Sequence, residues 1–402
     1  MSVAEMPSPQ RGSLQACLVV TSRPGPTPTT TFVPTSEESI VVSSVQAIVA
    51  DIYRFVVGVD THAATHTFAV VAAPNGALVD QVTFPTSPAG LRRALAWIAR
   101  RTGGDLDAVL VAAEGTGSYG AVLSAVLCQA GYRVVEAPTP KRERGRGKTD
   151  TLDAVLAARA TMVLPVTMLR DRRAGQVQAA LAVLTVARDQ LNADRLRCIN
   201  ALTALVRSHD LGLDARRALT APQVAAIAGW RRRDEDFGLA TARAEAVRLA
   251  KRIVDLTAEL GHNRDQITEI VAEQAPELLD LPGVGPVTAA VILTVWSHPG
   301  RVRTEAAFAQ IAGTCPIPAS SGNTVRHRLN RGGDRRLNRA FNTIVLTRMR
   351  IDPDTRVYID RRRAEGKTTK EIRRCLKRYT TRQVYRALAT AHPTPELITS
   401  AA

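Results

Sequence analysis

Four acidic residues have the types and spacing that cutting a nucleic-acid backbone requires. Asp60 closes the apolar run FVVGVD (Phe55 to Asp60), and Glu114 closes AVLVAAE (Ala108 to Glu114). Asp150 and Asp153 lie in KTDTLDAVLAAR (Lys148 to Arg159), which reads as a helix. A spacing of three sets both on one helical face. Two strand-end carboxylates and a helical pair can converge on one point. Carboxylates that close repel one another and need cations, and oxygen ligands of this kind favour Mg²⁺ or Mn²⁺. Two such ions can stabilise the attacking and leaving oxygens of a phosphoryl transfer. Taken singly, each acid reads as an ordinary surface carboxylate. The set, on these elements, carries the catalytic reading.

The elements that must hold these acids can be read from pattern. Phe55 to Asp60, His66 to Ala72 and Leu78 to Phe84 are short apolar or alternating runs separated by turn residues, a meander of three strands. Leu91, Leu95 and Ile98 form one stripe on a helix expected from Pro88 to Arg101. A strand follows over Asp107 to Ala113, a helix over Tyr119 to Gly131, a strand over Tyr132 to Ala137, and the acidic helix over Asp150 to Ala160. The order β-β-β-α-β-α-β-α, with acids at these points, is the ribonuclease-H-like order. Ahead of it, residues 1 to about 50 are rich in Ser, Thr and Pro and read as a disordered leader, with ordered structure expected from about Tyr53.

Charge points to a polyanionic partner. The chain of 402 residues carries 53 Lys and Arg against 37 Asp and Glu, a net +16. Between Arg301 and Thr390 there are 22 basic and 7 acidic residues, so nearly all the excess lies in the C-terminal quarter. Basic side chains that neutralise phosphates release counterions. Aromatic residues make up only 4%, which disfavours base stacking as the main binding mode. The loop KRERGRGK offers Lys141, Arg142, Arg144, Arg146 and Lys148 next to the acidic helix, either as a phosphate grip or as a solvated loop. Five scattered cysteines and seven histidines show no zinc spacing, which fits a reducing compartment. No apolar run is long enough to span a membrane, and the N-terminus lacks a signal-peptide pattern.

Two long helical stretches, 171 to 208 and Ala240 to Glu273, read as an antiparallel pair or an oligomerising coiled coil. After them, LPGVGPVTAAVIL resembles a helix-hairpin-helix element, in which Gly283 and Gly285 would let backbone amides approach phosphate. A tight structural turn is the alternative. The stretch from Phe308 to Phe341 then passes from small residues into dense arginine. Ser320 and Ser321 precede Gly322 there, and a serine beside a glycine among arginines can attack phosphorus. Alone, Ser-Ser-Gly reads as a loop.

These residues carry a family resemblance. GVDTHAATHTFAVV, EGTGSYG and KTDTLDAVLAAR in the N-terminal half are similar to the DEDD-type transposases of the insertion-sequence family numbered one-hundred-and-ten, relatives of the pilin-gene invertase. LPGVGPVTAAVIL, the G-x-x-P-x-x-x-x-S-G pattern of Gly313 to Gly322 and NRGGDRRLNRAF extend the likeness, which covers roughly residues 55 to 390. The resemblance implies that Asp60, Glu114, Asp150 and Asp153 form a metal-binding tetrad in a RuvC-like domain. It implies that Ser321, with Ser320 as the register alternative, attacks DNA and becomes covalently linked to it. It further implies a bridge RNA that pairs with donor and target DNA, and a homo-oligomer, dimer or tetramer, with composite sites. Arg326, Arg328, Arg331, Arg335, Arg336 and Arg339 are then expected to hold the backbone.

The expected architecture is therefore a leader (1–52), an α/β RuvC-like domain (53–165), a helical or coiled-coil region (166–275), a mainly α transposase domain with the serine (276–392) and a tail (393–402). The expected activity is Mg²⁺-dependent, RNA-guided strand exchange in the cytoplasm, close to the nucleoid. Two rivals stand beside it: a metal-dependent structure-specific nuclease without a covalent step, and a non-catalytic nucleic-acid-binding protein.

Overall fold

The computed structural model describes residues 47–138, 150–320 and 327–393, with the backbone alone at Asp150 and Thr151. The leader up to residue 46, the basic loop residues Lys141, Arg142, Arg144, Arg146 and Lys148, and Ser321 and Arg326 lie outside the described residues. Ordered structure starts before Tyr53. A short helix, α1 (Val49–Ile52), buries Val49 completely against the sheet, so the apolar pair Ile48-Val49 belongs to the domain and not to the leader.

The N-terminal half is a five-stranded sheet between helical layers. β1 (Phe55–Thr61), β2 (Thr65–Ala72) and β3 (Ala77–Pro85) form the antiparallel meander, and α2 (Pro88–Thr102) follows. β4 (Val109–Ala113), α3 (Ala121–Gln129), β5 (Arg133–Glu136) and α4 (Asp150–Met162) complete it, giving the sheet order β3-β2-β1-β4-β5. β1 is central, parallel to β4, and buried almost throughout, as its unbroken apolar run requires. β3 is the exposed edge.

Alternation along the strands divides the core in two. Val57 and Val59 pack with α2 and α3, whereas Val56, Leu110 and Ala112 pack with α4. The contact of α4 with β1 is backbone to backbone. A Cβ built on Gly58 would stand 2.0 Å from the Ala154 carbonyl oxygen and 2.7 Å from the Ala158 nitrogen.

Among the described residues, the remainder is helical apart from one two-stranded ribbon. α5 (Gln176–Ser208), α6 (Ala221–Ala228) and α7 (Phe237–Gln274) form an arm, and α8 (Pro286–Trp296) and α9 (Glu305–Ile311) follow. β6 (Ile317–Pro318) pairs with β7 (His327–Arg328), and α10 (Arg335–Ile351), α11 (Pro353–Ala364) and α12 (Thr369–Ala391) close the chain. α5 and α7 are an intramolecular antiparallel pair: Asn263 Nδ2 donates to the Leu184 carbonyl, and Arg195 Nε donates to the Thr257 hydroxyl. One core joins one end of that pair, the start of α5 and the end of α7, to α8, α9, α10 and α12 around Trp296, Phe308 and Phe341.

Gly58→Ala tests the backbone contact. The added methyl forces α4 off the sheet and is expected to cost about 1–3 kcal/mol or more, read as a lower denaturation midpoint in urea.

Candidate functional site

The end of β1 and the end of β4 are neighbours in a parallel pair, about 4.8 Å apart. Val59 pairs with Ala113, so the next residues, Asp60 and Glu114, stand side by side. The Glu114 amide donates to the Val59 carbonyl at 3.0 Å, and the Thr61 hydroxyl donates to the Glu114 carbonyl at 3.1 Å. Asp60 shares the strand face of Val56 and Gly58, which is the face that α4 covers. Asp153 precedes Ala154, the residue that touches Gly58. Backbone geometry thus brings the elements bearing Asp60, Glu114, Asp150 and Asp153 to one end of one sheet face.

The side chains are not gathered to the same degree. Among the described residues, no three acidic, histidine or cysteine groups stand close enough to hold a metal ion, and the Asp150 side chain is not among them. The Asp60 carboxylate is 10% exposed, and its Oδ2 lies 3.0 Å from His62 Nε2. Neither Asp60 nor Asp153 has a lysine or arginine partner among the described residues. A buried carboxylate without a lysine or arginine partner is a donor suited to a divalent cation. His62 and His66 are neighbours that the spacing argument missed. His66 is buried, its Nδ1 lacks a hydrogen bond among the described residues, and burial together with His62 pulls its pKa below the usual histidine value against the pull of Asp60.

The candidate serine segment springs from a fixed base. Asn338 Nδ2 donates to the carbonyls of Ala312 (2.7 Å) and Gly313 (3.2 Å), and the Asp334 amide donates to the Ile311 carbonyl at 2.7 Å. Gly333 lies so close to the other end that a Cβ would be 2.4 Å from the Ile311 oxygen. β6 and β7 then pair Ile317 with Arg328 and Pro318 with His327, so Ser320 lies just beyond the paired residues.

The expected phosphate-binding residues divide by environment. Arg331 and Arg335 are exposed. Arg336 and Arg339 share Asp189 of α5, at 2.8 and 3.2 Å, and so are already engaged within the chain. Gly283 is fitted against α10: a Cβ there would be 2.9 Å from the Ile344 oxygen, and Arg348 Nε donates to the Pro282 carbonyl. The Gly285 amide donates to the Thr288 hydroxyl at 3.0 Å. In this chain the Gly-x-Gly turn serves packing and helix capping.

An ion pair that the sequence does not reveal, between a buried arginine and a half-buried glutamate, joins the two halves. Glu136 ends β5, beside β4. Arg301, with a side chain 2% exposed, donates to Glu136 Oε1 at 2.7 Å and to the Val295 carbonyl at 2.6 Å. Burial lowers the Arg301 pKa and Glu136 opposes that shift. Arg173 bridges from Glu136 (4.0 Å) to Asp334 (3.3 Å), the N-cap of α10 at the foot of the serine segment.

Comparison with known proteins fits this two-part arrangement. Residues 57–209 match the DEDD transposase profile named for IS110, and residues 275–360 match that of the transposase IS116/IS110/IS902 family, together more than half of the chain. The uncharacterized 42 kDa protein of insertion element IS900 from Mycobacterium paratuberculosis is 32% identical over 299 residues, 61% of this chain and 74% of that protein. The uncharacterized 43.6 kDa protein of insertion element IS110 from Streptomyces coelicolor is 28% identical over 350 residues, 73% of this chain and 84% of that one.

Removing the glutamate strands the buried Arg301 guanidinium. Glu136→Ala is expected to lower stability by about 3–5 kcal/mol, and Arg301→Met combined with Glu136→Leu to restore most of it. A double-mutant cycle from urea denaturation measures both effects.

Proposed function

The chain belongs to the IS116/IS110/IS902 family of transposases, and from that membership we propose a metal-dependent strand exchange in which Ser321 is the nucleophile. The observation that carries this reading is the convergence of the Asp60, Glu114 and α4 backbones at one end of one sheet face. Asp60, Glu114, Asp150 and Asp153 would hold Mg²⁺ in a RuvC-like domain. The bound ion supplies positive charge to the scissile phosphate and its leaving oxygen.

The Ser321 hydroxyl attacks phosphorus and loses its proton. A serine–phosphate bond forms, the bond from phosphorus to the 3′ oxygen breaks, and that oxygen leaves as a hydroxyl. The link conserves the energy of the broken bond. The 3′ hydroxyl of another duplex then attacks the link, restores a phosphodiester and releases the serine. Arg328, Arg331 and Arg335 hold the backbone near the serine segment.

A structured bridge RNA supplies the choice of site. The cationic C-terminal quarter suits a large phosphate surface, while aromatic residues are too few for readout by stacking. Base pairing would then read the sequence, and the protein would read shape and backbone. A homo-oligomer brings acidic and serine domains of different subunits to one phosphate.

Wild-type protein with Mg²⁺ is expected to yield a protein–DNA adduct on a denaturing gel, and Ser321→Ala none. Asp60→Ala and Asp153→Ala are expected to slow cleavage on the order of 100-fold or more, as does chelation. Cleavage by wild type without any adduct would favour the plain nuclease. An adduct that persists in Ser321→Ala and vanishes in Ser320→Ala would move the nucleophile by one residue.

The RNA is tested separately. Protein purified from cells carrying the complete element is expected to bring down one structured RNA and to recombine DNA only in its presence. Site-specific exchange by RNA-free protein would refute the guide.

A further inference from the structure

A cavity of about 880 Å³ opens beside the base of the serine segment. Gly313 to Pro316 and β7 form one wall, and α12 forms the other. The Thr314 and Thr381 hydroxyls, 3.0 Å apart, tie the walls together. Seven of the described lining residues are Lys or Arg and a single one of them, Glu371, is acidic. α12 contributes Arg374, Arg378 and Arg382 at a spacing of four, which keeps them on one helical face. All of α12, Thr369–Ala391, lies beyond the C-terminal stretch matched by the family, residues 275–360.

These cations differ in how far they are engaged. Arg378 and Arg382 share Glu305, and Arg362 pairs with Glu365. Arg378 Nη1 and Arg362 Nε are nevertheless buried without an acceptor among the described residues. Lys377 is buried, and its ammonium donates to Asn338, the side chain that holds the Ala312 and Gly313 carbonyls. Arg328, Lys367 and Arg374 form no ion pair with a described residue. The Glu371 carboxylate, which feels the charges of Lys367 and Arg374, is occupied by capping Thr368. The cavity therefore has several N–H donors and little negative charge to meet them.

One wall residue is of another kind. Tyr379 is 49% exposed, lines the cavity and stands 5.8 Å from Tyr358 in an edge-on contact. Cations along a groove with an exposed aromatic ring are the equipment for an unpaired strand: phosphates on the cations, a base on the ring. The volume is in the range of small-ligand sites, roughly 300–1,000 Å³. That admits a few nucleotide units and excludes a duplex.

We propose that this cavity binds a short unpaired stretch of nucleic acid, with phosphates on Arg328, Lys367 and Arg374 and a base stacked on Tyr379. The inference rests on the reading of the chain as a strand-exchange enzyme and adds a place for the strand displaced beside the serine. The chemistry is a single-stranded phosphodiester, whether from DNA or from RNA.

The test uses the full chain and short single-stranded oligonucleotides, DNA and RNA in separate arms, each carrying a photoreactive 5-iodopyrimidine. Crosslinks mapped by mass spectrometry are expected on the peptide containing Tyr379. Tyr379→Ala is expected to weaken the crosslinking affinity about 5-fold or more, while Tyr379→Phe retains it. Lys367→Ala with Arg374→Ala is expected to make the salt dependence shallower by about 0.7 in slope per cation removed. The arm that crosslinks more tightly identifies the strand. Crosslinks elsewhere, with affinity and salt slope unchanged in all these variants, would overturn the inference. Ser321→Ala separates the two readings, because it is expected to crosslink at Tyr379 and form no covalent adduct. A serine adduct in wild type without a Tyr379 crosslink defeats the cavity alone. A Tyr379 crosslink without any adduct defeats the nucleophile and leaves the cavity standing.

Discussion

Helix α4 meets β1 through backbone, and the position of each acid follows from that contact. Gly58 has no side chain to hold the helix away, and Ala154 and Ala158 have only methyl groups. The helix therefore sits close to the sheet, with its N-terminal turns toward the end of β1 that carries Asp60. Any larger residue at Gly58 would lift Asp153 away from the strand ends. Asp60 and Glu114 are fixed independently of α4, by the parallel pairing of β1 with β4 and by the hydrogen bonds that run through Val59 and Thr61. The sheet sets two acids, and the glycine contact brings the helical pair to them.

The same end of the sheet anchors the other half of the molecule. β5 ends in Glu136, and Arg301 meets it from the loop after α8. Arg173 continues the chain of charges to Asp334, which caps α10 by accepting from the Arg336 and Leu337 amides. The Asp334 amide, bonded to the Ile311 carbonyl, and the Asn338 side chain, bonded to the Ala312 carbonyl, close the base of the serine segment at that cap. A rigid path of ion pairs and hydrogen bonds thus leads from the strand ends to the foot of the candidate nucleophile's loop. A buried arginine is costly to desolvate. Its contacts with Glu136 and the Val295 carbonyl fix the geometry between the halves.

Local pattern was legible and distant pairing was not. Apolar runs such as FVVGVD and the stripe of Leu91, Leu95 and Ile98 marked the strands and helices of the N-terminal half to within a residue or two. That precision reflects a buried central sheet, where composition and period leave little choice. The early start at Val49 was hidden because a four-residue helix has no period to read. The long helices were evident, but their antiparallel pairing depends on contacts such as Asn263 with Leu184, far apart in the chain. Glu136 and Arg301 are separated by 165 positions, so no spacing argument joins them. Counting arginines gave the sign of the C-terminal surface but not its use: Arg336 and Arg339 turn to Asp189. The spacing of four on α12 was in the sequence, yet it points to a cavity only once Gly313 to Pro316 are known to face that helix.

The central claim is that the strand ends and α4 build one divalent-cation site. Crystals grown with Mn²⁺ and measured at the manganese absorption edge test it without reference to activity. The account predicts one or two anomalous peaks bounded by the Asp60, Glu114 and Asp153 carboxylates, with Asp150 completing the shell. Peaks confined to other surfaces, with these carboxylates unoccupied at saturating Mn²⁺, would contradict it.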